Sequence, residues 1–195
     1  MAKYNEAFKR TYDLYDKDVE MGYAKSELEK FFWNFCDNYI EIAKNRLYKP
    51  EVYGQKAKES AQWACYNILL GLLKCLSITM PFITEEIYQA YFAKFDGEES
   101  IHLTILSPLN VDECENIIDA GDELVELVAY IRQFKSENQI SLKTKIKNAD
   151  IKAKYIDFIA SCDYDVKAVS GIQELNLQKA DNLQITFGEI ISDAE

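Results

Sequence analysis

Apolar side chains recur every three or four residues through the first two-thirds of the chain, which is the period of an α-helix. One stripe between residues 18 and 48 consists of Ala24, Leu28, Phe31, Phe32, Phe35, Tyr39, Ile42 and Ala43. A second amphipathic segment spans about 51 to 79, and from Ile68 onward it is apolar on almost every side, as in a helix that other helices surround. Pro50 and Pro81 stand where a new helix can begin. These patterns predict long helices packed around an aromatic-rich core.

The character of the sequence changes after about residue 137. Three later segments alternate like short strands: 141–147, 172–177 and 183–187. Ser100–Ile105 also alternates and predicts a short extended segment. We therefore expect a mainly α fold, with an up-down bundle of four to five helices over residues 1–137. A small C-terminal α/β appendage, with short strands packed on one or two helices, is expected over residues 138–195.

The charges of the chain are unbalanced, since its 195 residues include 22 Lys and Arg against 33 Asp and Glu, a net charge of −11. Such an acidic chain is not expected to bind polyanions indiscriminately. The most apolar run, residues 68–83, contains Lys74 and Pro81 and is shorter than the ~20 residues that a bilayer requires. The N-terminus lacks the hydrophobic core of a secretion signal, so we expect a cytoplasmic protein with no membrane partner.

The sequence contains few of the residue patterns that carry catalysis. The five cysteines form no C-x-x-C pair, and His102 is the only histidine. Neither a zinc site nor a nucleophile activated by a histidine is therefore expected. The glycine-rich motifs that bind nucleotide phosphates are also missing. We expect this chain to have no catalytic activity, no metal and no cofactor of its own.

Three segments resemble the motifs of one protein family, in the same order. Residues 31–44 (FFWNFCDNYIEIAK) resemble the signature helix of the anticodon-binding domain of valyl-tRNA synthetases. Residues 80–88 (MPFITEEIY) resemble the second hallmark of that domain, and residues 131–141 (IRQFKSENQIS) match a third. The family commonly has Trp where Asn38 stands, and residues 44–48 (KNRLY) are close to the isoleucyl enzymes. An isoleucyl- or leucyl-tRNA synthetase domain therefore stays an alternative.

This resemblance implies a module that recognises the anticodon stem-loop of a tRNA and is expected to be specific for valine. It implies a C-terminal fragment of a longer, ATP-dependent valine–tRNA ligase, whose missing catalytic domain would bind ATP and Mg²⁺. The expected partners are tRNA(Val) and the catalytic domain of the same parent chain, and the expected oligomeric state is a monomer.

Two clusters of basic residues are the candidates for contact with RNA, because phosphates bind cations and unstacked bases stack on aromatic rings. Residues 1–50 carry 9 basic and 9 acidic side chains, whereas residues 101–195 carry 9 basic and 17 acidic ones. The candidate RNA-binding residues are Lys44, Arg46, Tyr48, Lys49, Tyr53, Lys56, Arg132, Lys135, Lys143 and Lys145, and Lys58 and Lys147 extend the two clusters. Trp33 flanks the apolar stripe and is expected to be buried.

The alternative interpretation is that these lysines are solvated helix faces. The chain would then be a structural helical bundle that docks against another domain and touches no RNA. A positive surface that joins the two basic clusters is required only if the chain binds RNA.

Overall fold

The computed structural model describes residues 1–17, 19–111 and 116–191. The sequence suits Asp18 and Asp112 to cap the N-termini of helices, and it predicts fraying of the last residues, 192–195. All of these positions lie outside the described residues. The chain divides into two compact units. We call residues 1–40 with 58–113 the first unit, and residues 41–57 with 114–195 the second unit.

In chain order, the secondary structure is α1 (Ala2–Asp16), α2 (Met21–Asn34), a π-helical segment (Phe35–Ile40), α3 (Glu41–Tyr48), α4 (Pro50–Tyr53), α5 (Gln55–Leu76), α6 (Pro81–Tyr91), α7 (Ala93–Asp96), a 3-10 turn (Ile101–Leu103), α8 (Ile117–Glu137), β1 (Lys145–Ala153), α9 (Ile156–Ser161), α10 (Asp163–Ser170), β2 (Ile172–Lys179), β3 (Gln184–Phe187) and β4 (Ile190–Ile191). The predicted class, mainly α with a small C-terminal α/β part, is confirmed.

The core of the first unit is aromatic, as its sequence predicts. One cluster of its buried side chains comes from α1, α2, the π-helical segment and α5: Tyr4, Phe8, Leu28, Phe35, Ile68, Leu72 and Cys75. A second cluster consists of Leu70, Leu73, Tyr88, Phe92 and Ile101. Tyr4 packs edge-on against Phe31, with ring centroids 5.7 Å apart. Gly71 makes room for the Tyr4 ring, since a Cβ at that position would stand only 2.6 Å from Tyr4 Cζ.

The apolar stripe between residues 18 and 48 predicts one long helix, which is present, but its middle is not a regular α-helix. Residues 35–40 form a π-helical segment between α2 and α3. A π-helix widens the hydrogen-bonded turn by one residue, and such segments are frequent at functional sites. The chain passes from the first unit to the second directly after this segment.

The prediction of an extended segment at Ser100–Ile105 is wrong, because the Glu85 carboxylate forms a hydrogen bond with the backbone of this segment. The Glu85 carboxylate accepts hydrogen bonds from Ser100 Oγ and from the Ile101 amide, each at 2.9 Å. The chain consequently forms a 3-10 turn. Burial by itself would raise the pKa of Glu85, but hydrogen bonds from Gln89, Ser100 and the Ile101 amide outweigh it, and the pKa is lowered.

The second unit is built on β1, the strand in the middle of its sheet. β2 lies parallel to β1 on one side, with Ile151 opposite Leu177. β3 and then β4 lie antiparallel on the other side. Parallel neighbours need a crossover, which α9 and α10 supply. The buried core joins α8, β1, α9, α10 and β2 through Leu124, Leu127, Ile131, Ile146, Ala149, Ile151, Ala153, Ile159, Val166 and Ile172.

The predicted domain boundary after residue 137 coincides with the end of α8. A domain is a unit that folds by itself, and spatial grouping alone does not establish one. The boundary therefore stays a prediction.

Candidate nucleic-acid interface

The segment from residue 41 to 57 is a basic part of an acidic chain. It carries four basic side chains, Lys44, Arg46, Lys49 and Lys56, against two acidic ones, Glu41 and Glu51. It belongs to the second unit, where α3 packs against α10. Residues 132–147 belong to the same unit, so the two basic clusters of the sequence, except Lys58 of the first unit, share one compact body.

Glu41 joins the two clusters directly. Its Oε2 atom lies 2.6 Å from Lys44 Nζ and 3.8 Å from Arg132 Nη2. The side chains of Lys44 and Arg132 remain 42% and 34% exposed. Two cations on one carboxylate leave a net positive charge, and exposed ion pairs of this kind are weak enough to exchange partners. We call these three residues the Glu41 cluster, and its cations are close together and accessible to a phosphate.

Tyr48 lies on the same face of α3 as the Glu41 cluster. It follows Lys44 by four residues, so the two side chains are neighbours along the helix surface. Its side chain is 79% exposed. An exposed ring beside a cation is the combination that binds unstacked bases of single-stranded nucleic acids.

Arg46 has a different environment from Lys44. Its Nε atom donates to both carboxylate oxygens of Asp165, at 2.9 and 3.0 Å, and its Nη2 atom also donates to Oδ2. Asp165 is only 2% exposed. The pair therefore ties α3 to α10, a structural role that the sequence analysis did not predict.

Tyr53 joins α4 to α10. Its hydroxyl donates to the backbone carbonyl of Tyr164 at 3.1 Å, and the two rings pack edge to face with centroids 6.0 Å apart. Burial raises the pKa of Tyr53, and the charge of Asp165 adds to this. Sequence reasoning missed Tyr164, because its neighbours on both sides are aspartates.

The sequence predicts that Lys135 contacts RNA, but the structure buries this residue. The residue is 1% exposed, and its ammonium donates to the carbonyls of Leu142 and Thr144, at 3.1 and 2.6 Å. Burial lowers the pKa of Lys135. Because a buried ammonium cannot reach a phosphate, Lys135 is not a contact residue in this structure. It fastens the turn that carries Lys143, whose own side chain is exposed.

The remaining candidate lysines lie at the surface of the second unit. Lys49, Lys56, Lys143, Lys145 and Lys147 are all exposed. Lys147 pairs with Glu189 at 3.3 Å on the neighbouring chain segment beside β1. Exposed lysines on this unit can follow a phosphate backbone without the desolvation cost that a buried charge pays.

Trp33 belongs to the first unit and is 57% exposed, so its predicted burial is wrong. Among residues 1–17, 19–111 and 116–191, no group of three His, Cys, Asp or Glu side chains stands close enough to hold a metal ion. In that same part of the chain, no helix combines the length and the hydropathy needed to cross a bilayer.

Comparison with known proteins identifies the family. The profile described as "Anticodon-binding domain of tRNA ligase" matches residues 1–151. The valine–tRNA ligase of Rickettsia conorii is 33% identical over 169 residues, which cover 85% of this chain and 20% of that protein. The valine–tRNA ligase of Ehrlichia ruminantium is 32% identical over 168 residues, with 85% and 20% covered.

The chain thus spans about a fifth of the length of the curated relatives that it matches. The family match covers more than half of the chain and includes the Glu41 cluster, and it confirms the resemblance found in the three sequence motifs. This chain belongs to the anticodon-binding domain family of tRNA ligases.

Proposed function

We propose that this chain binds the anticodon stem-loop of a tRNA through its second unit and serves a valine–tRNA ligase. The observation that carries the proposal is the Glu41 cluster, in which Lys44 and Arg132 share one carboxylate although they lie far apart in the sequence. The family match supports tRNA as the ligand, and the names of the relatives support valine as the amino acid.

Affinity in this proposal comes from a few cations rather than from the total charge of the chain. Lys44 and Arg132 contact phosphates, with support from the exposed Lys49, Lys56 and Lys143. RNA loops expose unstacked bases, which bind to aromatic rings, and Tyr48 offers such a ring beside Lys44. The net charge of −11 then limits binding to RNA that fits this surface.

Within a complete valine–tRNA ligase, the chain would hold tRNA(Val) so that its acceptor end reaches a catalytic domain. That domain would bind ATP and Mg²⁺, and this chain would contribute no catalytic residue. We further propose that the protein acts in the cytoplasm as a monomer.

Charge reversal at Lys44 tests the proposal. A Lys44→Glu variant should bind a tRNA(Val) transcript about tenfold more weakly, because one phosphate contact becomes repulsion. Lys30→Glu is the matched control, since Lys30 also pairs with the glutamate three residues before it, Glu27, at 2.5 Å, but belongs to the first unit. Fluorescence anisotropy at two salt concentrations measures both variants.

Two results would contradict this proposal. The first is equal loss of affinity in the Lys44→Glu and Lys30→Glu variants, because the effect would then follow net charge alone. The second is an unmodified chain that fails to bind any tRNA at low salt, which would favour a bundle that docks against another domain. Equal affinity for tRNA(Val) and a non-cognate tRNA would contradict only the specificity for valine.

A further inference from the structure

Tyr164 is an exposed aromatic residue in the first turn of α10. Its side chain is 64% exposed although its ring contacts Tyr53. The two aspartates beside it are both neutralised within the second unit. Asp165 is bound by Arg46, and Asp163 lies 2.8 Å from Lys167 Nζ. The acidic neighbours therefore do not surround this ring with uncompensated negative charge.

The position of Tyr164 is fixed from two sides. The Tyr53 hydroxyl holds its backbone carbonyl at 3.1 Å, and the next residue, Asp165, is anchored by the guanidinium of Arg46. Tyr53 itself is half-buried, so it serves as a support for the more exposed ring. A ring that is already held in place loses little conformational entropy when a planar ligand stacks on it.

The surroundings of Tyr53 supply positive charge. Lys49 begins the helical turn that ends at Tyr53, and its carbonyl accepts a hydrogen bond from the Tyr53 amide at 3.2 Å. Lys56 follows Tyr53 by three residues, and both lysines are exposed. An exposed aromatic ring with lysines on the adjoining segment is the arrangement that binds single-stranded RNA by stacking and by phosphate contact.

We propose that Tyr164 is a binding residue for an unpaired base of the RNA loop, which stacks on its ring while Tyr53 supports that ring from behind. This inference rests on the proposed tRNA-binding function and extends it to a residue on α10. The ligand is an unstacked base rather than a phosphate, so the contact depends on the aromatic ring and hardly on salt.

The test compares Tyr164→Leu with Tyr164→Phe in the 195-residue chain. Leucine keeps apolar bulk and removes the aromatic face, whereas phenylalanine keeps the face. Stacking on one aromatic side chain typically contributes about tenfold to a hundredfold in affinity. We expect Tyr164→Leu to weaken tRNA(Val) binding by about tenfold, and Tyr164→Phe to stay within about twofold of the unmodified chain. Tyr23→Leu, at a tyrosine of the first unit that is 68% exposed, is the matched control and should change nothing.

A second measurement separates stacking from a general effect on the fold. Abasic substitutions are placed one at a time along the anticodon loop. One of these abasic tRNAs should bind more weakly than the intact tRNA to the unmodified chain and to Tyr164→Phe. The Tyr164→Leu variant should bind that abasic tRNA and the intact tRNA with equal affinity. Thermal unfolding checks that each variant is folded.

The proposal is overturned if Tyr164→Leu binds tRNA(Val) as tightly as the unmodified chain does. It is also overturned if every abasic substitution weakens tRNA binding equally in the Tyr164→Leu variant and in the unmodified chain. It is also overturned if Tyr164→Phe loses as much affinity as Tyr164→Leu, since the aromatic face would then be irrelevant. If Lys44→Glu weakens tRNA binding but Tyr164→Leu does not, the proposed tRNA-binding function stands and only the proposed role of Tyr164 is contradicted. If the chain binds no tRNA, both the function and the role of Tyr164 are contradicted.

Discussion

Both units join elements by ion pairs, the first through Lys74 and Asp96 and the second through Arg46 and Asp165, but the Asp96 side chain stays 19% exposed whereas that of Asp165 is 3% exposed. On α2 of the first unit, Lys25 and Lys30 pair with glutamates of the same helix. In the second unit, Arg46 and Arg132 reach glutamate or aspartate on other elements, from α3 to α10 and from α8 to α3. Pairs within one helix add a few tenths of a kcal/mol, whereas pairs between elements also fix how those elements pack. A cation that orders several elements is already in place when a ligand arrives.

The buried polar groups differ as well. The first unit buries neutral hydroxyl and thiol groups, with Tyr4 hydrogen-bonded to Cys75 and Tyr88 donating to Asp96 at 3.0 Å. The second unit buries Lys135 and Asp165. Ionisation of Cys75 in the core should therefore destabilise the first unit, whereas the second unit should be most sensitive to the loss of the partner of Asp165. Substitutions and pH changes that act on one unit at a time test this difference.

Removal of Arg46 should cause the largest loss of stability. Arg46→Ala leaves the Asp165 carboxylate buried without its main partner, and breaking such a pair costs about 3 kcal/mol. We place the value at the low end of the usual range because the Arg46 side chain is 31% exposed. Urea unfolding measures the change. A loss below about 1 kcal/mol would show that the pair does not fix the second unit.

Raising the pH should destabilise the first unit through Cys75. Burial raises the pKa of this thiol from 9.0 to about 11, although its hydrogen bond with Tyr4 opposes the shift. Between these values the unfolded chain has lost the proton that the folded chain retains, so stability is complete below pH 9 and falls as the pH rises towards 11. The loss amounts to about 2 kcal/mol.

Denaturant unfolding at several pH values with Cys75→Ala as the control measures this slope. The variant should be less stable at neutral pH and should lose less stability between pH 9 and 11. The raised pKa values of Tyr4 and Tyr88 act in the same direction and account for the residual fall. An identical pH dependence in both proteins would contradict the assignment to Cys75.

Two glycine-to-alanine substitutions compare the packing of the units and should change stability in opposite directions. Gly71→Ala pushes a methyl group into the enclosed Tyr4 ring of the first unit, and overpacking of this kind costs about 1–3 kcal/mol. Gly121 lies inside α8, where the described residues leave open space for 4 Å around the position that a Cβ would take. Gly121→Ala should therefore stabilise the second unit by up to about 1 kcal/mol. Thermal unfolding measures the change in stability for both substitutions. If both stabilise the chain or both destabilise it, the proposed difference in packing is contradicted.

Much of the fold follows from the period of its apolar residues. The 3.6-residue repeat predicts α2 and α5, and the alternation after residue 137 predicts β2, β3 and the first residues of β1, because burial on one face requires those periods. The strand predicted over 141–147 begins only at Lys145 and continues to Ala153. The π-helical segment at Phe35–Ile40 is not predictable in this way, since it changes the backbone hydrogen bonds without a change in residue type. Ser100–Ile105 alternates, but a distant carboxylate, Glu85, decides its conformation.

The candidate site is less predictable from the sequence than the fold. The sequence shows which side chains are cationic, and both cations of the Glu41 cluster, Lys44 and Arg132, are among the predicted residues. It does not show which cations find an internal partner. The ammonium of Lys135 is bound by the carbonyls of Leu142 and Thr144, which come close to it only when the turn before β1 forms. Arg46 is bound by Asp165, which lies more than a hundred residues later in the sequence.

The dependence of tRNA affinity on salt tests the central claim most directly. Each phosphate contact adds roughly one counterion to the slope of log Kd against log salt concentration. A double variant, Lys44→Gln with Arg132→Gln, should lower that slope by about two, whereas Lys30→Gln should leave it unchanged. An unaltered slope in the double variant would contradict the assignment of RNA binding to the second unit.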